Sequence, residues 1–340
     1  MKKLLLLKNF LALNLGLNLF AAEAEAEDKD NAGEDKRIAV GGQAVIEGVL
    51  MKGPNKWGLA VRKVLQSEEQ ESLEQENLNL NQEQGEIVKE SWPHSSRTKR
   101  MPYKLPFVRG FVVMCEMMAT GFKALSRSAE IALEEPDSQE KLTFKDLLFT
   151  VIFTILAVGG LFIALPLYAA EFLAKIFELE PHGVGVYTLE GIIRAVIFIA
   201  YIAIIGMWGD IKRVFAYHGA EHKTINAYEG GLEMTPENIL KCSRIHPRCG
   251  TSFLLIAVIV SIAVFSMIGR GGFLWRVVSR IILLPVVIGV SYEIIRLAGN
   301  SGKLGRAIIF PFLSLQFLTT REPDLSQAEV ALASLNTAMN

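Results

Sequence analysis

Residues 147–170, LLFTVIFTILAVGGLFIALPLYAA, run for about 24 positions without a charge, and a helix needs about 20 apolar residues to cross the hydrocarbon core of a bilayer. A second run of the same quality is CGTSFLLIAVIVSIAVFSMIG, residues 249–269. Two weaker runs lie at 191–209, broken by Arg194, and at 277–298, broken by Arg280, Pro285 and Glu293. A charge at the bilayer centre costs about 2.5–3.5 kcal/mol on insertion scales, so the weaker pair is expected inside a bundle where its charges find partners. Four such runs in fewer than 160 residues are too many for the core of a soluble protein. The expected fold is therefore an α-helical integral membrane protein with about four transmembrane helices, residues 146–320.

Lys and Arg near the span ends set the orientation. Arg97, Lys99, Arg100, Lys104, Arg109, Lys123, Arg127, Lys141 and Lys145 precede the first span. Lys212, Arg213, Lys223, Lys241, Arg244 and Arg248 follow the second, whereas the first interspan loop, IFELEPHGVGVYTLE, is acidic. This bias places the N- and C-terminal regions and the 210–250 loop in the cytoplasm; the short turn with Arg270 and Arg276 has the opposite sign. Lys plus Arg (35) balance Asp plus Glu (36), so no global field favours nucleic acid. Three cysteines are too few and too scattered for a disulfide framework, and a cytoplasmic loop keeps its thiols reduced.

The remaining segments divide by composition. Residues 1–36 form a leader: Lys2 and Lys3, a Leu-rich stretch, then AAEAEA, which reads either as a secretory signal or as an interfacial segment. Residues 37–66 and 85–100 alternate β-branched residues with Gly-Gly, Gly-Pro and Trp-Gly, giving a small cytoplasmic β section. Between them, 67–84 is a Gln/Glu/Asn-rich insertion too poor in apolar residues to order itself, on this reading the loop of a long hairpin. In 101–145 the stretch 107–132 has apolar residues at helical spacing, predicting an amphipathic helix on the membrane or against the bundle. Residues 321–340 are a tail. No internal repeat supports an inverted-repeat transporter.

Chemistry concentrates at one place. Three of the five histidines, His218, His222 and His246, lie in the 210–250 loop. In YHGAEHKT, His218 and His222 are four apart and share a helix face, so both can reach one metal ion. Glu221 stands beside the second ligand, in the H-x-x-E-H order whose glutamate serves as general base. Thr235-Pro236-Glu237 reads as a helix start, and the chain then reaches His246-Pro-Arg-Cys249, an H-x-x-C pair at ligand spacing. Glu293, near the cytoplasmic end of the last span, is either a further ligand or the partner of a cation such as Arg296. His218, His222, His246 and Cys249 together would close a structural zinc site. His218 and His222 with Glu293 or His246 would leave a position open for water and make it catalytic.

GGQAVIEGVLMKGP (41–54), PFVRGF (106–111), YHGAEHKTINAYE (217–229), RIHPRCGTSFLL (244–255) and SYEIIRLAG (291–299) together resemble the signatures of the YqhQ-like family of bacterial polytopic membrane proteins, domain of unknown function 1385. The leader and the 67–84 insertion lie outside that pattern. The resemblance implies a multi-pass protein of the bacterial cytoplasmic membrane and a metal-dependent enzyme without an assigned reaction. It supports His218, Glu221, His222, His246 and Cys249 as the site, and it assigns no role to Gln43 or Glu47. The expected function is zinc-dependent hydrolysis at the cytoplasmic face, on a small-molecule, lipid or membrane-protein substrate. Glu221 would activate water there, with the lipid bilayer as the surrounding partner and no nucleic acid. The alternatives are a membrane-protein assembly or chaperone factor with a structural metal, and a small-molecule or ion transporter using Glu293.

Overall fold

The computed structural model describes residues 40–64, 85–94, 103, 105–132, 144–180, 183–247, 249–267, 273–300 and 312–340. The leader at 1–36 and the insertion at 67–84 lie outside the described residues, as do Arg97, Lys99, Arg100 and Lys104.

The N-terminal β section is a four-stranded antiparallel meander: β1 (Gly41–Val45), β2 (Gly48–Lys52), β3 (Lys56–Arg62) and β4 (Ile87–Pro93), in that spatial order. Side chains alternate across a pleated strand, and here both faces are buried. One face presents Val45, Leu50, Leu59 and Val61 to α1 (Val108–Ala132), which answers with Val113, Met114 and Met117. Its methionine stripe is core filler. The other face presents Val49, Met51 and Ala60 to α5 (Gly209–Glu229) and to the C-terminal α10 (Leu325–Met339). Small residues on α10 (Ala331, Ser334, Ala338) let it lie flat on the sheet, where Ser334 Oγ donates to the Gly58 carbonyl at 2.9 Å. Asp324 and Gln327 start that helix as a reciprocal capping box. The tail thus completes the sheet's second layer.

The β1–β2 turn is pinned by its own strained residue. Glu47 has φ 50°, uncommon without glycine. Its carbonyl accepts the Arg62 N–H at 2.8 Å, and its carboxylate pairs with Arg213 and accepts from the Tyr217 hydroxyl of α5 at 3.3 Å. Those contacts hold the turn against the helix that carries the histidines.

The apolar runs form α2 (Phe144–Gly159), which passes through a π turn at Gly160–Ala164 into α3 (Leu165–Ile176); α4 (Val184–Ile205); α7 (Gly250–Met267); and α8 (Phe273–Asn300), and a short α9 (Gln316–Thr319) precedes α10. Among the described residues three helices are long and apolar enough to cross a membrane: Ile152–Ile176, Gly185–Ile205 and Val277–Leu297. The expectation of four is not met, because the apolar stretch described in α7 is Phe253–Met267. The front of the 249–269 run is used differently, since Cys249 belongs to the cluster described below.

The charges inside the apolar helices are paired. The Glu190 carboxylate accepts from Arg194 Nη2 at 2.6 Å on its own helix and from Arg280 Nη2 at 2.6 Å on α8. Arg194 also donates to Ser261 Oγ on α7 and to the Phe162 carbonyl in the π turn, both at 3.1 Å. One carboxylate and two guanidiniums thereby tie four helices together, as buried charge requires.

Candidate metal centre

The 210–250 segment is helical for most of its length. Asp210 in the first turn of α5 complements the helix dipole. The far end stops in a Schellman motif: Gly231 takes φ 73°, and the N–H groups of Leu232 and Gly231 reach back to the Ala227 and Tyr228 carbonyls. After it, α6 (Pro236–Leu240) starts with Thr235 Oγ1 accepting the Asn238 N–H. The chain then returns under α5 to Cys249.

Gly219, which weakens a helix, has a reason to stand beside His218. A Cβ there would lie 2.0 Å from the Arg321 carbonyl oxygen. The segment before α10 crosses α5 at this point, and Arg321 N–H donates to the Phe215 carbonyl at 2.8 Å. Gly219→Ala should lower the thermal midpoint by a loss of about 1–3 kcal/mol, overpacking outweighing the roughly 1 kcal/mol helix gain. A raised midpoint in a melting scan would contradict this close approach.

His218, His222 and Cys249 each aim one ligand atom at a common point, and those atoms lie within 4.8 Å of one another. His218 Nδ1 lies 2.8 Å from the Thr319 carbonyl and His222 Nδ1 2.6 Å from the Arg244 carbonyl. A carbonyl can only accept, so both Nδ1 atoms carry the hydrogen and both Nε2 atoms face the cluster. Backbone fixing of the distal nitrogen is how metal-ligating histidines are oriented. His218 Nε2 is 3.4 Å from Cys249 Sγ. His222 Nε2 is buried and has no hydrogen-bond partner. An orphaned, buried lone pair between an imidazole and a thiol is what a soft divalent cation would satisfy, so the donor set fits zinc.

The electrostatics agree. Burial alone would push the Cys249 thiol up, but the neighbouring His222 and His218 hold it well below the ordinary thiol range. Burial likewise works against protonated His218, yet the Cys249 charge and hydrogen bond outweigh it and bring the imidazole up to about 9. In the metal-free chain His218 therefore holds a proton at neutral pH that an incoming cation must displace. Apparent zinc affinity should rise by about tenfold per pH unit towards pH 9 and then level off. Competition titrations with a chromophoric chelator at pH 7 and 8 measure this; equal affinities would contradict it.

The other sequence candidates sit apart from this set. Glu221 is 4% exposed, and its Oε2 lies 3.9 Å from His218 Nε2, beside the cluster without being one of its three ligands. His246 packs its ring 5.8 Å from that of His222, but its Nε2 faces the Glu229 carboxylate at 3.5 Å. Burial takes it down to about 4, so it is neutral. Gln316 explains its turning away, because that side chain accepts from the His246 N–H and donates to the His246 carbonyl. Glu293 is not brought to the histidines. Its carboxylate is held by Arg109 of α1, with Nε at 2.6 Å, and the charge of Arg296, the cation that spacing suggested, acts on it as well. Glu293→Gln should keep full metal content while losing about 1–3 kcal/mol of stability with the charged pair. Loss of metal with an unchanged melting midpoint would restore it as a ligand.

Sequence reasoning missed the residues that hold the histidines in place. Thr319, Gln316, Arg244 and Thr320 act through backbone and amide groups, Arg244 donating to the Thr320 carbonyl at 2.8 Å. No spacing signal marks them.

A helical protein with three candidate spans, a small sheet and a half-buried two-histidine, one-cysteine cluster at the end of an apolar helix is the class these features define. The chain belongs to the family described as "Protein of unknown function (DUF1385)", whose model matches residues 105–340. It is 34% identical over 312 residues to "Uncharacterized protein YqhQ" of Bacillus subtilis (strain 168), covering 88% of this chain and 91% of that one. No solved structure matches.

Proposed function

We propose that the chain is a metal-dependent hydrolase, with zinc as its ion, at the cytoplasmic face of the bacterial inner membrane. The observation that carries this reading is the place of Glu221: a buried carboxylate 3.9 Å from a ligand nitrogen and outside the ligand set. Three candidate ligands with a carboxylate beside them are the composition of a catalytic site rather than a closed one. When bound, the ion would supply Lewis-acid polarisation and ease the ionisation of water. His218, His222 and Cys249 would hold it, and the Thr319 and Arg244 carbonyls fix the two rings. Glu221 takes the proton from the attacking water and returns it to the leaving group. The matching experiment is complementation of a deletion strain with Glu221→Gln.

The competing reading, a membrane-protein assembly or chaperone factor with structural zinc, needs a fourth protein ligand. Burial of His222 (1%) favours it, but His246 would have to leave Glu229 and turn into the cluster. In the transporter reading Glu293 would be a free intramembrane carboxylate, and Arg109 holds it.

The proposal includes the topology, with α7 as a fourth, short crossing and both terminal regions cytoplasmic. Cysteines replacing the exposed Lys123 or Lys241 one at a time, with Cys115 and Cys242 changed to serine and the parent that keeps only Cys249 as the blank, should resist an impermeant thiol reagent in intact cells and react after permeabilisation. Labelling at 123 but not at 241 would instead mean that the N-terminal region is exported.

A further inference from the structure

We propose that the outer edge of β1 is a docking strand for an extended polypeptide, laid beside Glu221, with the Gln43 side chain as its reader. This rests on the hydrolase reading and names its substrate class as a peptide.

In the order β1-β2-β3-β4, β1 is an edge strand, and among the described residues no strand pairs with its outer side. The register fixes which groups face outward. Val45↔Gly48 closes a two-residue turn, so Val45, Gln43 and Gly41 direct their N–H and C=O groups to β2. Gly42 and Ala44 direct theirs away from the sheet, and both are half-buried. Such an edge is a ready template for an added strand.

Two further observations flank that edge, one on each face of the sheet. The Gln43 side chain is 5% exposed, and neither its Nε2 nor its Oε1 has a hydrogen-bond partner. Native proteins rarely leave a buried amide doubly unpaired. Space is made for it by Gly121 of α1, where a Cβ would come within 2.9 Å of both amide atoms. The second observation is the contact to Glu221. A Cβ on Gly42 would lie 3.2 Å from Glu221 Cγ, so the strand edge abuts the proposed base. Outward backbone donors and acceptors, plus an amide that both donates and accepts, are complementary to a peptide rather than to an acyl chain or a phosphate. In the reaction water adds its oxygen to the carbonyl carbon and the C–N bond breaks. The proton taken by Glu221 goes to the departing amine.

The test uses the zinc-loaded full chain in detergent, with fluorescein-labelled reduced casein as an unfolded polypeptide and Glu221→Gln to prevent turnover. Ala44→Pro removes one outward N–H and leaves the β2 ladder untouched, as edge prolines do. Gln43→Met removes the amide at similar size. Each change, added to Glu221→Gln, should weaken binding by at least tenfold with unchanged metal content, and Gln43→Met should melt no lower than its parent. If Ala44→Pro fails to fold, Gln43→Met alone decides. Absence of casein binding, or binding unchanged by these substitutions, would overturn the proposal, as would binding that appears only after deletion of residues 1–36. If Glu221→Gln fails to complement while Ala44→Pro and Gln43→Met complement fully, the hydrolase reading stands and the peptide assignment falls.

Discussion

Glu221→Gln should lower turnover by about 10²–10⁴-fold, the usual worth of a positioned general base, with metal content and abundance unchanged. The glutamine keeps the volume of a side chain that is 4% exposed and packed against Gly42. It retains an acceptor oxygen but cannot take a proton from water. Alanine would be a poor substitute, because it opens a void in a buried helix face and confuses stability with catalysis. An assembly factor with structural zinc predicts the opposite: the same variant complements fully, and function fails only when ligand changes release the metal. Full complementation by metal-replete Glu221→Gln would exclude the hydrolase.

His218→Ala and His222→Ala should each reduce metal affinity by well over the 10–100-fold typical of losing an outer-shell partner. Of the two, His222→Ala is expected to be the more damaging. It removes the buried unpaired Nε2 and the hydrogen bond to the Arg244 carbonyl that holds the 243–249 turn under α5. Cys249→Ser should act in the same direction, since a thiolate beside two imidazoles is exchanged for a poor zinc ligand. Metal analysis of the purified variants reads this directly. About one ion per chain in the double His→Ala variant would remove the assignment.

Much of this arrangement is legible locally in the sequence. Apolar runs located the helices, and the i,i+4 spacing in YHGAEH put two imidazoles on one helix face, which the ring centroids at 4.4 Å reproduce. A glycine inside a helix weakens it, and the purpose of Gly219 lies in a stretch of chain about 100 positions away, at Arg321. The H-x-x-C pattern suggested that His246 and Cys249 act together. Gln316 seizes the His246 backbone instead, and a side-chain amide from the C-terminal region carries no periodic signal. Glu293 lies away from the histidines for the same reason, because its partner Arg109 is 184 residues earlier. Span counting assumed that an apolar run crosses wherever it is apolar. The run at 249–269 has Cys249 of the His/Cys cluster at its front, and the apolar stretch described in it is Phe253–Met267. Pattern reads what a segment buries; it does not read which distant segment arrives to meet it.

Zinc K-edge X-ray absorption of the purified full-length protein tests the central claim most directly. Two histidine nitrogens at about 2.0–2.1 Å and one sulfur at about 2.3 Å are expected, together with one light scatterer that is not histidine. Cys249→Ser should erase the sulfur shell. A spectrum without sulfur, one with four protein ligands including a third histidine, or a protein that holds no zinc would contradict the account.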